Sequence, residues 1–374
     1  MKKLICTVLC CGCVAASLAV LAKPIRTLPP ESGQPERKDV KDEIRIDPRT
    51  GEFNFKLLTV DDDALAEHLR GQTNVIHVQL GLQPITDAGL RHLVGLDKLE
   101  TLNLGGTKVT DAGLVHLSGL RRLKGLWLSD TSVSDAGLAH LGGLRSLEEL
   151  ALGSTRVVGP GLASLEALPN LADLYLDDTR ITDTNLKYLG KLTGLRDLSL
   201  YGTAIDGSGL MHLKENQRLE KLQLSRTKLS DRNAAYLGGL RSLRELYVYT
   251  TPLTNVGVTH LSGLRGLTTL VLSDTRIDDT GVACFKGMVK LRRLDLGGTG
   301  LSDDGLLHLA GLTALESLNI QGTKVSDAGL RHLRGLRSLK ILNADGSGVT
   351  RAGVDRMRKD LPDLRTDIDF PGPR

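Results

Sequence analysis

Cysteine and aromatic residues are scarce in this chain. Aromatic residues make up 3% of the 374 residues, so aliphatic side chains, above all leucine, must fill the core. Four of the five cysteines lie within the first 13 residues, and Cys284 alone cannot form an internal disulfide. Because Cys284 stands at a helical position of a repeat, we expect a half-buried, inert thiol rather than a nucleophile.

A dominant charge and a catalytic motif are also missing. The formal net charge is +4, and it falls by the two charges of Lys2 and Lys3 if residues 1–22 are removed. A body so close to neutrality gives no electrostatic reason to expect nucleic-acid binding. The sequence contains no G-x-S-x-G elbow, no phosphate-binding P-loop and no H-E-x-x-H helix, so it predicts neither an enzyme nor a cofactor.

The N-terminal segment has the pattern of an export signal. Lys2 and Lys3 precede an uncharged run that ends at Ala22, which predicts a signal peptide over residues 1–22 and an extracytoplasmic protein, periplasmic or secreted. A retained membrane anchor is an alternative, because the run approaches the roughly 20 residues that span a bilayer. A lipoprotein that uses Cys13 is another. Residues 23–41 are rich in proline and charge and predict a flexible linker.

The body of the chain repeats every 24 residues. In the unit that begins at Leu99, Leu102 and Leu104 alternate with polar residues, as in a strand with one buried face. Thr110 then offers an N-cap hydroxyl and Asp111 places negative charge in the first helical turn. A threonine marks the register of the repeats, at Thr107, Thr131, Thr155, Thr179, Thr203, Thr227, Thr251, Thr275, Thr299 and Thr323.

Two further positions of the unit have predicted conformational roles. The hydroxyl of Thr107 is expected to pair with backbone groups in the turn after the strand. Gly119 suits the left-handed position that ends a helix. The unit thus predicts a strand, a turn and a short helix in each copy.

This repeat sequence resembles that of bacterial leucine-rich-repeat proteins and, through its T-D-A-G-L pattern, that of the cysteine-containing repeats of F-box proteins. The resemblance covers residues 61–349. It implies an α/β fold, a right-handed leucine-rich-repeat horseshoe with a concave parallel sheet, short convex helices and partner binding on the concave face. No F-box precedes the repeats, so a ubiquitin-ligase adaptor is not expected. Residues 42–60 predict an N-terminal cap hairpin and residues 350–374 a C-terminal cap, with a last strand or coil at 368–370.

Two side-chain ladders could suggest metal. The same position that carries most of the histidines also takes Ser164, Tyr188, Tyr236 and Cys284, so we expect a structural role, with the ring bonded to backbone, and no metal. The aspartates that follow a Ser, Thr or Asp cap are explained by helix-start chemistry rather than by calcium. The histidines are His68, His92, His116, His140, His212, His260, His308 and His332.

Aromatic residues concentrate on the predicted concave strands of repeats four to eight. Rings exposed on a rigid sheet commonly anchor partners. Cross-strand stacking and glycan binding are the alternatives for them. Charged residues accompany the rings at Asp173, Asp197, Lys221 and Glu245. The predicted partner-binding residues are Trp127, Tyr175, Asp177, Tyr201, Arg226, Tyr247 and Tyr249.

Repeats in this region also depart from the consensus. Gly159 and Gly207 replace the helix-start aspartate, Asn185 replaces a glycine, and Asn216 replaces a leucine. Function or drift could explain these changes. The sequence as a whole predicts an exported module for protein recognition. A structural or adhesive envelope protein is the alternative, with membrane contact only if the N-terminal segment is retained.

Overall fold

The computed structural model describes residues 44–46, 52–55 and 59–366, in which a single 15-stranded sheet follows the order of the chain. Each strand has two to four residues, because the chain turns soon after the strand ends. The strands are β1 (Ile44–Ile46), β2 (Glu52–Phe55), β3 (His77–Gln79), β4 (Thr101–Asn103), β5 (Gly125–Trp127), β6 (Glu149–Ala151), β7 (Asp173–Tyr175), β8 (Asp197–Ser199), β9 (Lys221–Gln223), β10 (Glu245–Tyr247), β11 (Thr269–Val271), β12 (Arg293–Asp295), β13 (Ser317–Asn319), β14 (Ile341–Asn343) and β15 (Arg365–Thr366).

All neighbouring strands from β2 onward pair in parallel, and β1 pairs with β2 in the antiparallel sense. Equivalent residues of successive repeats face each other, as Thr101 faces Gly125. The β1–β2 pair lies within the stretch predicted as the N-terminal cap, whose boundaries remain a prediction. The predicted signal peptide, the linker and the last strand at 368–370 lie outside the described residues.

Short helices cover the opposite side of the solenoid. Thr110 shows why they begin where they do, since its side chain accepts a hydrogen bond from the amide of Ala112, as predicted. The α-helices are α1 (Asp62–Leu69), α2 (Asp87–Leu90), α3 (Asp111–Leu114), α4 (Asp135–Leu138), α5 (Leu186–Leu189), α6 (Asn255–Thr259), α7 (Asp279–Val282), α8 (Asp303–Leu306), α9 (Asp327–Leu330) and α10 (Arg351–Arg358). The 3₁₀ segments are Arg91–Leu93, Val115–Leu117, Ala139–Gly143, Pro160–Ala167, Asp183–Asn185, Ser208–Glu215, Asn233–Gly239, Ala283–Gly287, Leu307–Leu309 and Arg331–Leu333.

The core is a continuous stack of leucines between the sheet and the helices. Leu102, Leu104, Leu114 and Leu117 are fully buried, as predicted. Thr107 is also buried, and its hydroxyl donates to the carbonyl of Leu104 at 2.6 Å, a bond that recurs through Thr323. In each of these turns the hydroxyl donates to a buried carbonyl, which confirms the prediction for this position.

The prediction for Gly119 is wrong. Its φ is not positive, because the 3₁₀ segment before it continues into a right-handed conformation at Ser118. Left-handed residues occur instead in the turn after the strand, at Gly106 and Asp130 for example. In the described repeats the turn after the strand always contains a left-handed residue, whereas the position of Gly119 is left-handed at its equivalents Gly71 and Gly95 and not elsewhere.

The helix-start aspartates join neighbouring repeats, a role that helix-start chemistry alone did not predict. The carboxylate of Asp87 accepts hydrogen bonds from the amide and the hydroxyl of Thr110 in the next repeat, at 2.7 and 2.6 Å. Gly113 makes room for it, because a Cβ at Gly113 would lie 2.4 Å from the Asp87 Oδ1. We call this pair of bonds the aspartate latch. The same latch is present at Asp231 and Thr254.

The histidines line the helical side at the surface. His92 and His116 are half-buried and His140 is exposed, while His68 Nδ1 lies 2.6 Å from the carbonyl oxygen of Ala64. Within residues 59–366, no group of three or more His, Cys, Asp or Glu side chains is placed to hold a metal ion. The absence of bound metal in solution stays a prediction.

Two observations concern the thiol and the membrane. Cys284 is half-buried and packs against the leucine core, as predicted. No helix in the described part of the chain has both the length and the apolar character of a membrane span.

Candidate binding face

The sheet presents one face to the core and one away from it. We call the second the open face, formed by the first and third residues of each strand and by the residue two positions beyond. Trp127, Tyr175 and Tyr247 occupy third positions of their strands. The remaining predicted residues follow the strands, with Asp177, Tyr201 and Tyr249 on the open face and Arg226 in the adjoining turn. The structure thus gathers the predicted residues on one side of β5 to β10.

Trp127 does not stand out from this face, contrary to the expected exposure. Only 8% of its surface is exposed. Its indole lies along its own strand over Gly125, and Nε1 donates to Glu149 Oε1 on β6 at 2.9 Å. The ring is buried because Gly125 offers it a flat place on the backbone.

Tyr201 is likewise buried, at 2% exposure, so its predicted exposure is wrong. Its ring packs against Tyr249, with centroids 6.2 Å apart and planes at 48°. Arg226 lies 5.6 Å from the ring centre and donates from Nη1 to the Tyr201 hydroxyl at 3.0 Å. Packing between rings, the structural alternative, therefore describes this cluster.

Tyr175 and Tyr247 are half-buried and leave part of each ring accessible. The Tyr175 hydroxyl donates to Asp197 Oδ2 at 3.3 Å, and the Tyr247 hydroxyl donates to Glu245 Oε2 at 2.8 Å. Burial, reinforced by the nearby carboxylates, raises the pKa of both phenols. Both rings are therefore neutral and held in one orientation by charged acceptors.

A row of carboxylates crosses the same strands. Glu149, Asp173 and Asp197 occupy directly facing positions on β6, β7 and β8. Lys221 follows on β9 and contacts Asp197 Oδ2 at 2.9 Å. Burial raises the pKa of Asp197, and the charge and hydrogen bond of Lys221 oppose that rise.

Asp177, the one carboxylate in the predicted partner-binding set, is buried. It is 9% exposed and accepts a hydrogen bond from the Ser199 hydroxyl. Burial raises its pKa to about 6, although the Ser199 bond acts in the opposite direction. Asp177 is therefore charged for the most part near neutral pH, at an energetic cost.

A groove follows the edge where β7 to β10 begin. It includes Asp173, Asp197, Lys221 and Glu245, which the sequence placed beside the rings. Sequence reasoning missed Arg196 and its equivalents, which precede the strands. The remaining lining residues are Glu148, Ala172, Arg196, Glu220 and Arg244.

Comparison with known proteins agrees with this architecture. Leucine-rich-repeat models match residues 241–301, 265–325 and 97–118. An internalin from Listeria monocytogenes superposes with a TM-score of 0.63 and 25% identity, over 80% of this chain and 82% of that one. The chain is folded as a leucine-rich-repeat solenoid. The predicted fold class is thereby confirmed, and the open face is the concave face of such a solenoid.

Two receptor structures share the fold at lower identity. The plant peptide hormone receptor RGFR1 in complex with RGF2 has a TM-score of 0.50 and 16% identity, over 79% of this chain and 51% of that one. The PEPR1–AtPEP1 structure has a TM-score of 0.51 and 18% identity, over 85% and 48%. The solenoid thus spans about half the length of these receptor chains. No curated protein matches the sequence.

Proposed function

We propose that this solenoid recognises another protein through the open face of β5 to β10, as an exported, non-enzymatic binding module. The observation that carries the proposal is the row of facing carboxylates beside two accessible tyrosines. The internalin and the two receptor chains support it as relatives in fold, and the receptor structures are of complexes with the ligands that their names give.

Charge is concentrated on this part of the face. On β6 to β10 the open face carries Glu149, Asp173, Asp177, Asp197 and Glu245 against Lys221, while Arg226 lies in the adjoining turn and Arg196 and Arg244 line the groove. Like charges that face each other on neighbouring strands destabilise a sheet. A partner that brings lysine or arginine side chains would remove this repulsion, so we infer a basic segment in the partner.

The tyrosines supply the apolar part of the contact. Tyr175 and Tyr247 are fixed by their hydroxyl bonds before any partner arrives, so little side-chain entropy is lost on binding. The buried rings of Trp127 and Tyr201 hold neighbouring side chains in place, Trp127 through Glu149 and Tyr201 through Tyr249 and Arg226. The predicted binding set thus divides into contact residues and positioning residues.

The test is a double substitution of Tyr175→Ala and Tyr247→Ala. The protein is incubated with a displayed library of unbiased 12-residue peptides, and the selected peptides are measured individually. We expect each ring to contribute on the order of 1 to 2 kcal/mol, so that the double variant binds at least about tenfold more weakly. Circular dichroism verifies that the variant is folded.

Tyr236→Ala is the matched control, because Tyr236 is 41% exposed on the helical side, away from the open face. Equal binding by the double variant would refute the location. Selected peptides without lysine or arginine would refute the charge inference alone. Binding of glycans but of no peptide would favour the glycan alternative, and a purely structural envelope role predicts no selection at all.

A further inference from the structure

The aspartate latch is reversed in two repeats. Gly159 stands where an aspartate belongs, and Asn185 stands in the next repeat where its glycine belongs. A Cβ at Gly159 would lie 2.2 Å from Asn185 Cγ, so the asparagine fills the space from the other side. Gly207 and Asn233 show the same exchange. The large and the small partner have changed places.

The exchange removes the latch. Asn185 Oδ1 accepts from the amide and the hydroxyl of Thr182, at 3.0 and 2.9 Å, inside one repeat. The amide and the hydroxyl of Thr182 are therefore satisfied within its own repeat. At a latched joint, the equivalent Thr254 is held by Asp231 of the preceding repeat. The bond that joins two repeats has become a bond within one.

A second link is missing at the same joint. The residue after the register threonine usually donates its backbone amide to a carbonyl of the previous repeat. Arg156 donates to Val133 and Lys228 donates to Ile205, both at 2.8 Å. In the part of the chain that the structure describes, no such bond joins Arg180 to Val157. The β7–β8 joint also lacks this backbone bond, but there Asp183 still accepts the amide of Asp206 in the next repeat at 2.8 Å. Among the described joints, only the one between the β6 and β7 repeats has neither a helix-start side chain that accepts an amide of the next repeat nor this backbone bond.

The Gly207 joint is held in another way. Lys228 keeps its bond to Ile205, and Asn233 Nδ2 reaches back to the carbonyl of Asp206 at 3.1 Å. The reversed pair alone therefore does not separate two repeats. At β6–β7 both links are missing.

The sheet side of the β6–β7 joint is intact. Leu152 donates to Tyr175 and Ser154 donates to Asp177, both at 2.8 Å. Leucines still pack across the joint, while Glu149 and Asp173 face each other with like charge. The two repeats are thus fastened at the sheet, while the helical side has no latch and is joined by leucine packing and by the exposed ion pair of Lys191 Nζ with Glu166 Oε1 at 2.9 Å.

We propose that the β6–β7 joint is a hinge, about which the helical side of the solenoid opens while the sheet stays paired. It divides the array into an N-terminal block that ends with the β6 repeat and a C-terminal block that begins with β7. In a repeat array, a weak interface lets the blocks on either side unfold separately. Trp127 lies on one side of the hinge and Tyr175 on the other, so opening changes the shape of the open face. The proposal does not depend on any partner.

Trp127 is the only tryptophan, and it lies in the N-terminal block. Unfolding in urea is followed by its fluorescence, which reports that block, and by far-ultraviolet circular dichroism, which reports the whole chain. We expect midpoints that differ by about 0.5 M urea or more in the natural protein. Gly159 stands at φ 129°, which an aspartate rarely adopts, and Pro160 disfavours the helical conformation for the residue before it. The latched variant therefore combines Gly159→Asp and Asn185→Gly with Pro160→Ala, and it is expected to bring the two transitions together.

Pro160→Ala alone is the control, because it leaves the joint unlatched and should keep the transitions apart. Hydrogen exchange on the natural protein gives a test that needs no variant. Residues 159–168 and 180–190 should exchange about tenfold faster than the equivalent residues 279–288 and 300–310, which flank a latched joint. Coincident transitions in the natural protein, or equal exchange at the two joints, would overturn the hinge.

Discussion

The indole of Trp127 lies over Gly125, two residues earlier on the same strand, and a Cβ at Gly125 would come within 2.6 Å of its Cη2 atom. This contact explains why an aromatic residue on the open face is buried. The glycine leaves a flat backbone, the ring covers it, and Glu149 fixes the indole through Nε1. A change at Gly125 must therefore move the ring.

Gly125→Ala is expected to displace the indole and to lower the free energy of unfolding by about 1 to 2 kcal/mol, the cost of overpacking. The measurement is urea unfolding together with the emission spectrum, which should shift to longer wavelength as the ring meets water. Gly119→Ala is the control, because a Cβ there meets nothing within 4 Å and φ is not positive. An unchanged spectrum would mean that the ring tolerates the methyl group.

Asp177 predicts a pH dependence with a defined sign. Its pKa in the folded protein is about 6, above the ordinary 3.8, so the folded state holds the proton more tightly than the unfolded state. The associated stability is fully present below pH 3.8 and is lost as pH rises through about 6. At neutral pH the charged group costs up to about 3 kcal/mol.

Asp177→Asn should therefore raise stability at neutral pH and flatten its pH dependence between about 4 and 6. The amide oxygen can still accept the Ser199 bond. The measurement is denaturant unfolding at several pH values. Asp345→Asn is the control, because Asp345 is exposed on the same face. A variant that follows the pH profile of the natural protein would show that another group titrates.

Much of the fold could be predicted because each repeat forms the same contacts. Leu102, Leu104 and Thr107 recur in register, so their burial and the turn bond follow from one unit. The sequence places a helix-start aspartate in one repeat and a glycine in the next, as with Asp87 and Gly113. Only the structure shows that the Asp87 carboxylate, while it bonds to Thr110, occupies the space above that glycine. Because the two positions share this space, Gly159 and Asn185 are a reciprocal exchange and not two unrelated departures from the repeat consensus.

The side chains of the open face were less predictable. Their position on the face followed from strand alternation, while their exposure depends on neighbours in other repeats. Tyr201 is buried by Tyr249 and Arg226, two and one repeats away. The prediction for Gly119 failed for a local reason, since its 3₁₀ segment continues in a right-handed conformation through Ser118, whereas the equivalent segment before Gly95 does not.

The predicted signal peptide lies outside the described residues, and its cleavage can be tested. The mature chain is expected to begin at Lys23, because a charged start, an uncharged run and small residues before the cut are what signal peptidase recognises. N-terminal sequencing of the protein recovered from the extracytoplasmic fraction is the measurement. An intact species that begins at Met1 and needs detergent for extraction would favour the membrane anchor.

Asn216 predicts a stabilising substitution. It is fully buried in a column that leucine occupies in other repeats, and its Oδ1 has no hydrogen-bond partner. Its Nδ2 donates to the carbonyls of Leu189 and Leu192, which also accept backbone bonds, so a leucine would leave neither carbonyl unpaired.

We therefore expect Asn216→Leu to raise the free energy of unfolding by about 1 to 3 kcal/mol, the cost of one buried unsatisfied acceptor. Gln217→Leu, at the exposed neighbouring position, should change it by less than about 0.5 kcal/mol. Thermal or urea unfolding measures both. Destabilisation by Asn216→Leu would mean that the two Nδ2 bonds outweigh the unpaired oxygen, and that the asparagine fastens the β8 repeat to the β7 repeat before it.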